Sequence, residues 1–321
     1  MFLALAVALA LAMLFLLWCS GCLLALPGWW LLRHSDLSLP ARRRASLLFA
    51  LRLAPLVLAA IITVGFVLPA FVRFEPRSTT EDLNLGLLGL AACGLIVVTI
   101  ISVRFVRMAA ATRHLRRHWL KSARRLRVEG ITLPIYSVDA PSGLLAVTGI
   151  FRPQIFVARR FVESLSPQEL EAALAHEVAH VSAFDNLRQA LLRITRPPFW
   201  RGDAAWTSAS EIAADEAALL SGASVLDLSA ALIKAGRLGC HSTIHGNAAI
   251  SCLLPPQADS SVHARVRHLE LLLSGTAALP VPEQPRRFPA LLALLLGLGI
   301  YAACFQALLP WVHDALEFLV H

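Results

Sequence analysis

Residues 166–194 read SPQELEAALAHEVAHVSAFDNLRQALLRI. Ser166 stands where an N-cap belongs, Pro167 fits the first helical position, and Glu169 completes a capping box. The pattern predicts one long helix. On a helix, residues four apart lie one above the other on the same face. His176 and His180 therefore point the same way and offer two imidazole nitrogens to a single cation. Glu177 sits beside the open side of that face, where a water would lie, and is the natural general base. Three fixed positions in five can arise by chance on a structural helix. Here, however, the polar trio stands among alanines and leucines, where its burial is costly unless a metal satisfies it.

The rest of the chain looks built for lipid. Of its 321 residues, 57% are hydrophobic and only 16% charged, with mean hydropathy +0.66; soluble domains carry roughly 25% charged residues. Four stretches, 2–32, 46–72, 83–106 and 288–312, are long and apolar enough to cross a bilayer. Arg52 falls near the start of the second and is expected to snorkel toward the basic loop before it. The net charge of +8 and pI near 9.8 come from arginines clustered beside these spans. They suit anionic headgroups, and no nucleic-acid motif accompanies them, so no direct nucleic-acid binding is expected.

Basic loops set the expected orientation. Arg33, Arg42, Arg43 and Arg44 lie between the first two spans, and the densest block, RFVRMAAATRHLRRHWLKSARRLR, follows the third. The positive-inside rule places both in the cytoplasm, with the N-terminus and the C-terminal tail outside, as in a bacterial-type inner membrane. The expected layout is three spans in 1–106, a basic juxtamembrane helix along the headgroups in 107–127, a cytoplasmic domain in 128–285, and the fourth span with a short external tail in 286–321. ITLPIYSVD and PQIFVARRF read as strands, while SASEIAADEAALLSG and SSVHARVRHLELLLSG read as helices. None of the six cysteines belongs to a paired CxxC zinc framework.

Catalytic zinc takes three protein ligands and keeps an open position. Asp185, five residues past His180, would be turned away from the metal face of a straight helix. Glu211 and Asp215, four apart in EIAAD, suit a ligand and a group that orients a ligand histidine, whereas Glu216 falls off that stripe toward solvent. His241 and His245 compete from the glycine-rich stretch GRLGCHSTIHGNA, which suits a loop; the helical setting favours Glu211.

HEVAH followed by EIAAD resembles the gluzincin membrane peptidases, which use HExxH plus a glutamate in an ExxxD motif. With the spans and the segment GIFRPQIFVARRFVESLSPQELEAALAHEVAHVSAFDN, the chain resembles the BlaR/MecR family of antibiotic-sensing membrane metallopeptidases along nearly its whole length, most specifically over 149–215. The resemblance implies a four-span α-helical membrane protein with a cytoplasmic α+β zincin-like domain between the third and fourth spans. It implies that His176, His180 and Glu211 bind Zn²⁺, that Glu177 is the base, that Asp215 orients a ligand histidine, and that Arg265 stands near the substrate. Family sensors carry an extracellular antibiotic-binding domain after the fourth span; the sequence stops at His321, so a member lacking that domain is expected.

The expected activity is zinc-dependent hydrolysis of peptide bonds in cytoplasmic or membrane-proximal proteins during transmembrane signalling. The substrate class includes a transcriptional repressor or the peptidase itself, bound extended along a strand edge near TGIFRPQIF. Two alternatives stand beside it. One is a general quality-control protease of the membrane. The other is a non-catalytic signalling module whose metal is structural and closed by Cys240 or His245.

Overall fold

The computed structural model describes residues 2–34, 39–75, 84–140, 144–197, 203–238, 250–252, 258–276, 279–280, 297, 301, 304–305 and 307–315. They fall into two compact units. One holds Met1–His34, Ala50–Ser102 and Glu283–His321; the other holds Ser35–Phe49 and Val103–Pro282. Helices dominate, joined by a small mixed sheet.

The first unit is helical. Helix α1 is Phe2–His34, α2 is Ala41–Ile62, and a π-helical turn Thr63–Val67 leads into α3, Leu68–Phe74. Helix α4 is Leu85–Lys121. Two of these helices, α2 and α4, also supply residues 41–49 and 103–121 to the second unit. Three candidate membrane spans follow by length and composition: Phe2–Leu32, Ala41–Phe74 and Leu85–Lys121. The basic segment continues α4 out of the third candidate span as far as Lys121, since nothing between Val106 and Lys121 breaks a helix. Most of the expected fourth span, 288–312, lies outside the described residues. Without a hydrophobic force between helices in lipid, close packing requires small side chains. A Cβ added at Gly94 would collide with the Leu11 carbonyl oxygen of α1, and one at Gly21 would meet the Pro55 Cβ of α2 at 3.1 Å. Arg52 is buried, 2% exposed.

The second unit is built on a five-stranded sheet of order β1-β2-β4-β3-β5. The strands are β1 Arg124–Leu126, β2 Ile135–Val138, β3 Leu145–Thr148, β4 Gln154–Ala158 and β5 Ile250–Cys252. Strands β2 and β4 run parallel, and the other pairs are antiparallel. Strands β3 and β4 are buried on both faces nearly throughout, which suits their unbroken apolar sequence. Gly149 turns the chain between them at φ +95°, and a Cβ there would lie 2.7 Å from the Arg152 carbonyl oxygen. The segment PQIFVARRF therefore splits: β4 ends at Ala158, and helix α5, Arg159–Ser164, follows.

Helices α6 (Pro167–Ser182), α7 (Asp185–Ile194), α8 (Asp203–Leu220), α9 (Val225–Arg237) and α10 (Ala258–Leu273) complete the unit. The core joins Phe156, Val157 and Phe161 to Ala173 and Leu174 of α6 and to Leu228, Ala231 and Leu232 of α9. Helix α6 begins with the expected capping box, Ser166 accepting from the Glu169 N–H and Glu169 accepting from the Ser166 N–H. Glu169 also accepts from Lys234 of α9 at 2.6 Å. Alanines are buried on both α6 (172, 173, 179) and α8 (209, 213, 214, 218). Such small side chains let two helices pack at the short end of the usual interaxial range, which brings polar groups of both within contact distance.

The long helix expected over 166–194 is two helices. Between them Phe184 adopts a left-handed conformation, φ 56° and ψ 31°. This costs a bulky residue roughly 1 kcal/mol or more. Long-range partners offset it: the Asn186 carboxamide donates to the carbonyl oxygens of Val147 at 3.4 Å and Gly149 at 3.2 Å.

Candidate metal centre

His176 and His180 lie one turn apart on α6, fully buried, with their Nε2 atoms 3.1 Å apart. From α8, Glu211 brings Oε2 to 3.5 Å from His176 Nε2 and Oε1 to 3.6 Å from His180 Nε2. These three residues form a buried group able to hold a metal ion.

The outer ring nitrogens are both held by carboxylates. Asp215 Oδ1 lies 2.7 Å from His176 Nδ1, and Asp185 Oδ2 lies 2.8 Å from His180 Nδ1. In the neutral tautomer with each Nδ1–H donating outward to its carboxylate, both Nε2 lone pairs would face Glu211. That donor set fits a cation. Two ligand atoms at about 2.05 Å from a tetrahedral zinc are roughly 3.3 Å apart, and the observed separations bracket that value.

Arg265, from α10, is 1% exposed. Its Nε and Nη2 donate to Asp215 at 2.7 and 2.6 Å, and its Nη1 donates to Glu211 Oε2 at 2.9 Å. The guanidinium is buried against two carboxylates of the site, Asp215 and Glu211. Burial alone would raise the carboxyl of Glu211, but Arg265 and the two histidines hold it well below the usual range. Asp215 is likewise lowered, against burial, by Arg265 and His176. Burial would lower His180, yet Glu211 and Asp185 raise it well above an ordinary histidine.

Glu177 is fully buried beside this group, and neither of its oxygens has a hydrogen-bond partner among the described residues. Burial pushes its carboxyl up to about 7, against the pull of His176 and His180. A carboxylate poised near neutrality suits a group that must take up and release a proton.

Two further placements differ from the sequence expectation. The break at Phe184 returns Asp185 to His180, whereas a straight helix would have turned it away. Asp185–Asn186, two residues that favour helix starts, was the available signal within the segment. Glu216, expected in solvent, is buried and pairs with His268 at 3.1 Å. Cys240, His241 and His245 lie outside the described residues. The strand edge expected to receive a peptide is already paired, since β5 sets Ile250 against Thr148 and Cys252 against Ala146.

Three helices long and apolar enough to cross a membrane and a buried His-His-Glu group able to hold a metal ion define the class: a membrane protein with a candidate metal centre between two helices. Residues 86–251, just over half of the chain, match the family described as BlaR1 peptidase M56, and the chain belongs to that family. No curated protein matches it.

Proposed function

We propose that this chain is a zinc endopeptidase of the inner membrane that hydrolyses peptide bonds in cytoplasmic or membrane-proximal proteins. The observation that carries the reading is the convergence of two carboxylate-backed imidazoles and Glu211 beside the buried, unpartnered Glu177. His176, His180 and Glu211 would hold the ion, which when bound would polarise the scissile carbonyl and lower the pKa of water. Asp215 and Asp185 fix the two imidazoles with their Nε2 atoms inward. Arg265 neutralises Asp215 and steadies Glu211. Glu177 accepts the proton of the attacking water on its carboxylate and delivers it to the departing amine nitrogen, so the base of one step is the acid of the next.

The proposed setting has four spans, with the N-terminus outside and the peptidase unit in the cytoplasm, as the arginine-rich segments favour. The substrate class is a cytoplasmic transcriptional repressor, a membrane protein or a second copy of the peptidase. Reporter fusions at Arg127 and Gly222 should score cytoplasmic, and an external score would refute this orientation. Glu177→Gln keeps shape and hydrogen-bonding reach but removes the proton acceptor. The purified variant should retain about one zinc per chain and its wild-type melting temperature, and lose at least roughly 10²-fold in hydrolysis of labelled casein. Wild-type turnover by the variant would overturn the mechanism. Loss of zinc together with fold would make the group a structural site.

A further inference from the structure

The contacts behind His180 continue past Asp185. The other oxygen of Asp185, Oδ1, lies 3.7 Å from the Arg188 guanidinium, one turn further along α7. The Cζ of Arg188 sits 5.6 Å from the centre of the Phe49 ring. Phe49 belongs to α2, and residues Ser35–Phe49 form one compact unit with the helices that carry the metal group.

We propose that Phe49 and Arg188 are positioning residues for the metal ligand His180, so that the first turns of the second candidate span set the orientation of that ligand. This rests on the metal reading above. A carboxylate accepting through one oxygen can still swing about that bond; a cation near the other oxygen, here beyond hydrogen-bond reach at 3.7 Å, disfavours the swing by charge attraction. Arg188 supplies that cation for Asp185, but its own side chain is long and partly open, with 24% of it exposed. The face of Phe49 restrains it, since a guanidinium is attracted to the negative face of an aromatic ring. Each link is a contact between neighbours, and the series runs unbroken from α2 to the histidine. A shift of Phe49 would release Arg188, loosen Asp185 and let the His180 ring turn. Asp185 would then do more than satisfy His180: it would report the state of α2 to the metal.

The test uses the full-length protein in nanodiscs, stripped of metal and titrated with Co²⁺, whose visible bands report ligand geometry independently of activity. Asp185→Asn should weaken Co²⁺ binding by about 10–100-fold. Phe49→Leu should weaken it about two- to fivefold and alter the bands, while Phe49→Tyr, which keeps the ring, should match wild type. Added to Asp185→Asn, Phe49→Leu should cost nothing further, because the link it acts through is gone. Should Phe49→Leu fail to fold, Arg188→Lys replaces it, with the same loss and the same non-additivity expected. Leu47→Ala, an exposed neighbour on α2, should change nothing. Wild-type affinity and bands in Phe49→Leu overturn the inference, as do losses that simply multiply, or an equal effect from Leu47→Ala. Wild-type protein that binds no Co²⁺ overturns the metal reading itself, and this inference with it.

Discussion

Replacing Arg265 by leucine removes a buried guanidinium that holds two carboxylates. Its three donors lie 2.6 and 2.7 Å from the Asp215 oxygens and 2.9 Å from Glu211 Oε2, and all three side chains are at most 5% exposed. Leucine fills much of the volume but leaves two buried negative charges without their counter-ion. Breaking a buried pair from one side costs about 3–5 kcal/mol. At roughly 2–4 °C per kcal/mol for a unit of this size, Arg265→Leu should lower the melting temperature by roughly 6–20 °C. The assay is a thermal scan of metal-free protein in detergent, so that lost ligand binding does not contribute. Tryptophan fluorescence reports it through Trp119 and Trp206, both buried in the second unit. Arg265→Lys should lie between the two, because an ammonium cannot bridge two carboxylates as a planar fork does. Removing both partners, Arg265→Leu with Asp215→Leu, should recover part of the loss, since the unpaired charge goes with it. A shift under about 2 °C for Arg265→Leu, with only the Michaelis constant affected, would refute the buttressing role and return Arg265 to the substrate.

Three further outcomes are expected. Glu211→Ala should abolish stoichiometric zinc while His245→Ala leaves zinc near wild type, measured as metal per chain after gel filtration; the opposite result would move the third ligand to the 239–249 segment. Gly94→Ala sets a methyl against the Leu11 carbonyl oxygen, so α1 and α4 must separate; lower yield and melting temperature of the full-length protein should follow, and wild-type values would deny that contact. The hydrogen bond from Lys234, then those with Ser166, lowers the folded-state pKa of Glu169 below its ordinary 4.5. The stability this carboxylate contributes is therefore fully present above about pH 4.5 and lost as pH falls through the lower folded value. The melting-temperature gap between wild type and Glu169→Gln should shrink below that pH, and a gap constant with pH would contradict the assignment.

Much of the centre is local in sequence. The spacing of His176 and His180 sets them on one face of any helix, the Ser166–Glu169 pair starts that helix, and the four-residue interval from Glu211 to Asp215 repeats the geometry on α8. The long apolar runs likewise declare their solvent, because no packing arrangement in water could bury them all. What the chain alone does not declare depends on partners far away along it. The helix ends at Ser182 rather than continuing because Asn186 finds the carbonyl oxygens of Val147 and Gly149, 39 and 37 residues earlier. Asp185–Asn186 offers a local helix-start signal, but the left-handed Phe184 goes against local propensity. Arg265 looks like any surface arginine until α10 packs on α8 and places it over Asp215, 50 residues away. The edge of β3 is open in sequence and closed in the fold, because Ile250–Cys252 returns about a hundred residues later to pair with it. Periodicity fixes which side chains share a face; only the packing of one face against another decides which charges are neutralised, which edge is covered and where a helix must break.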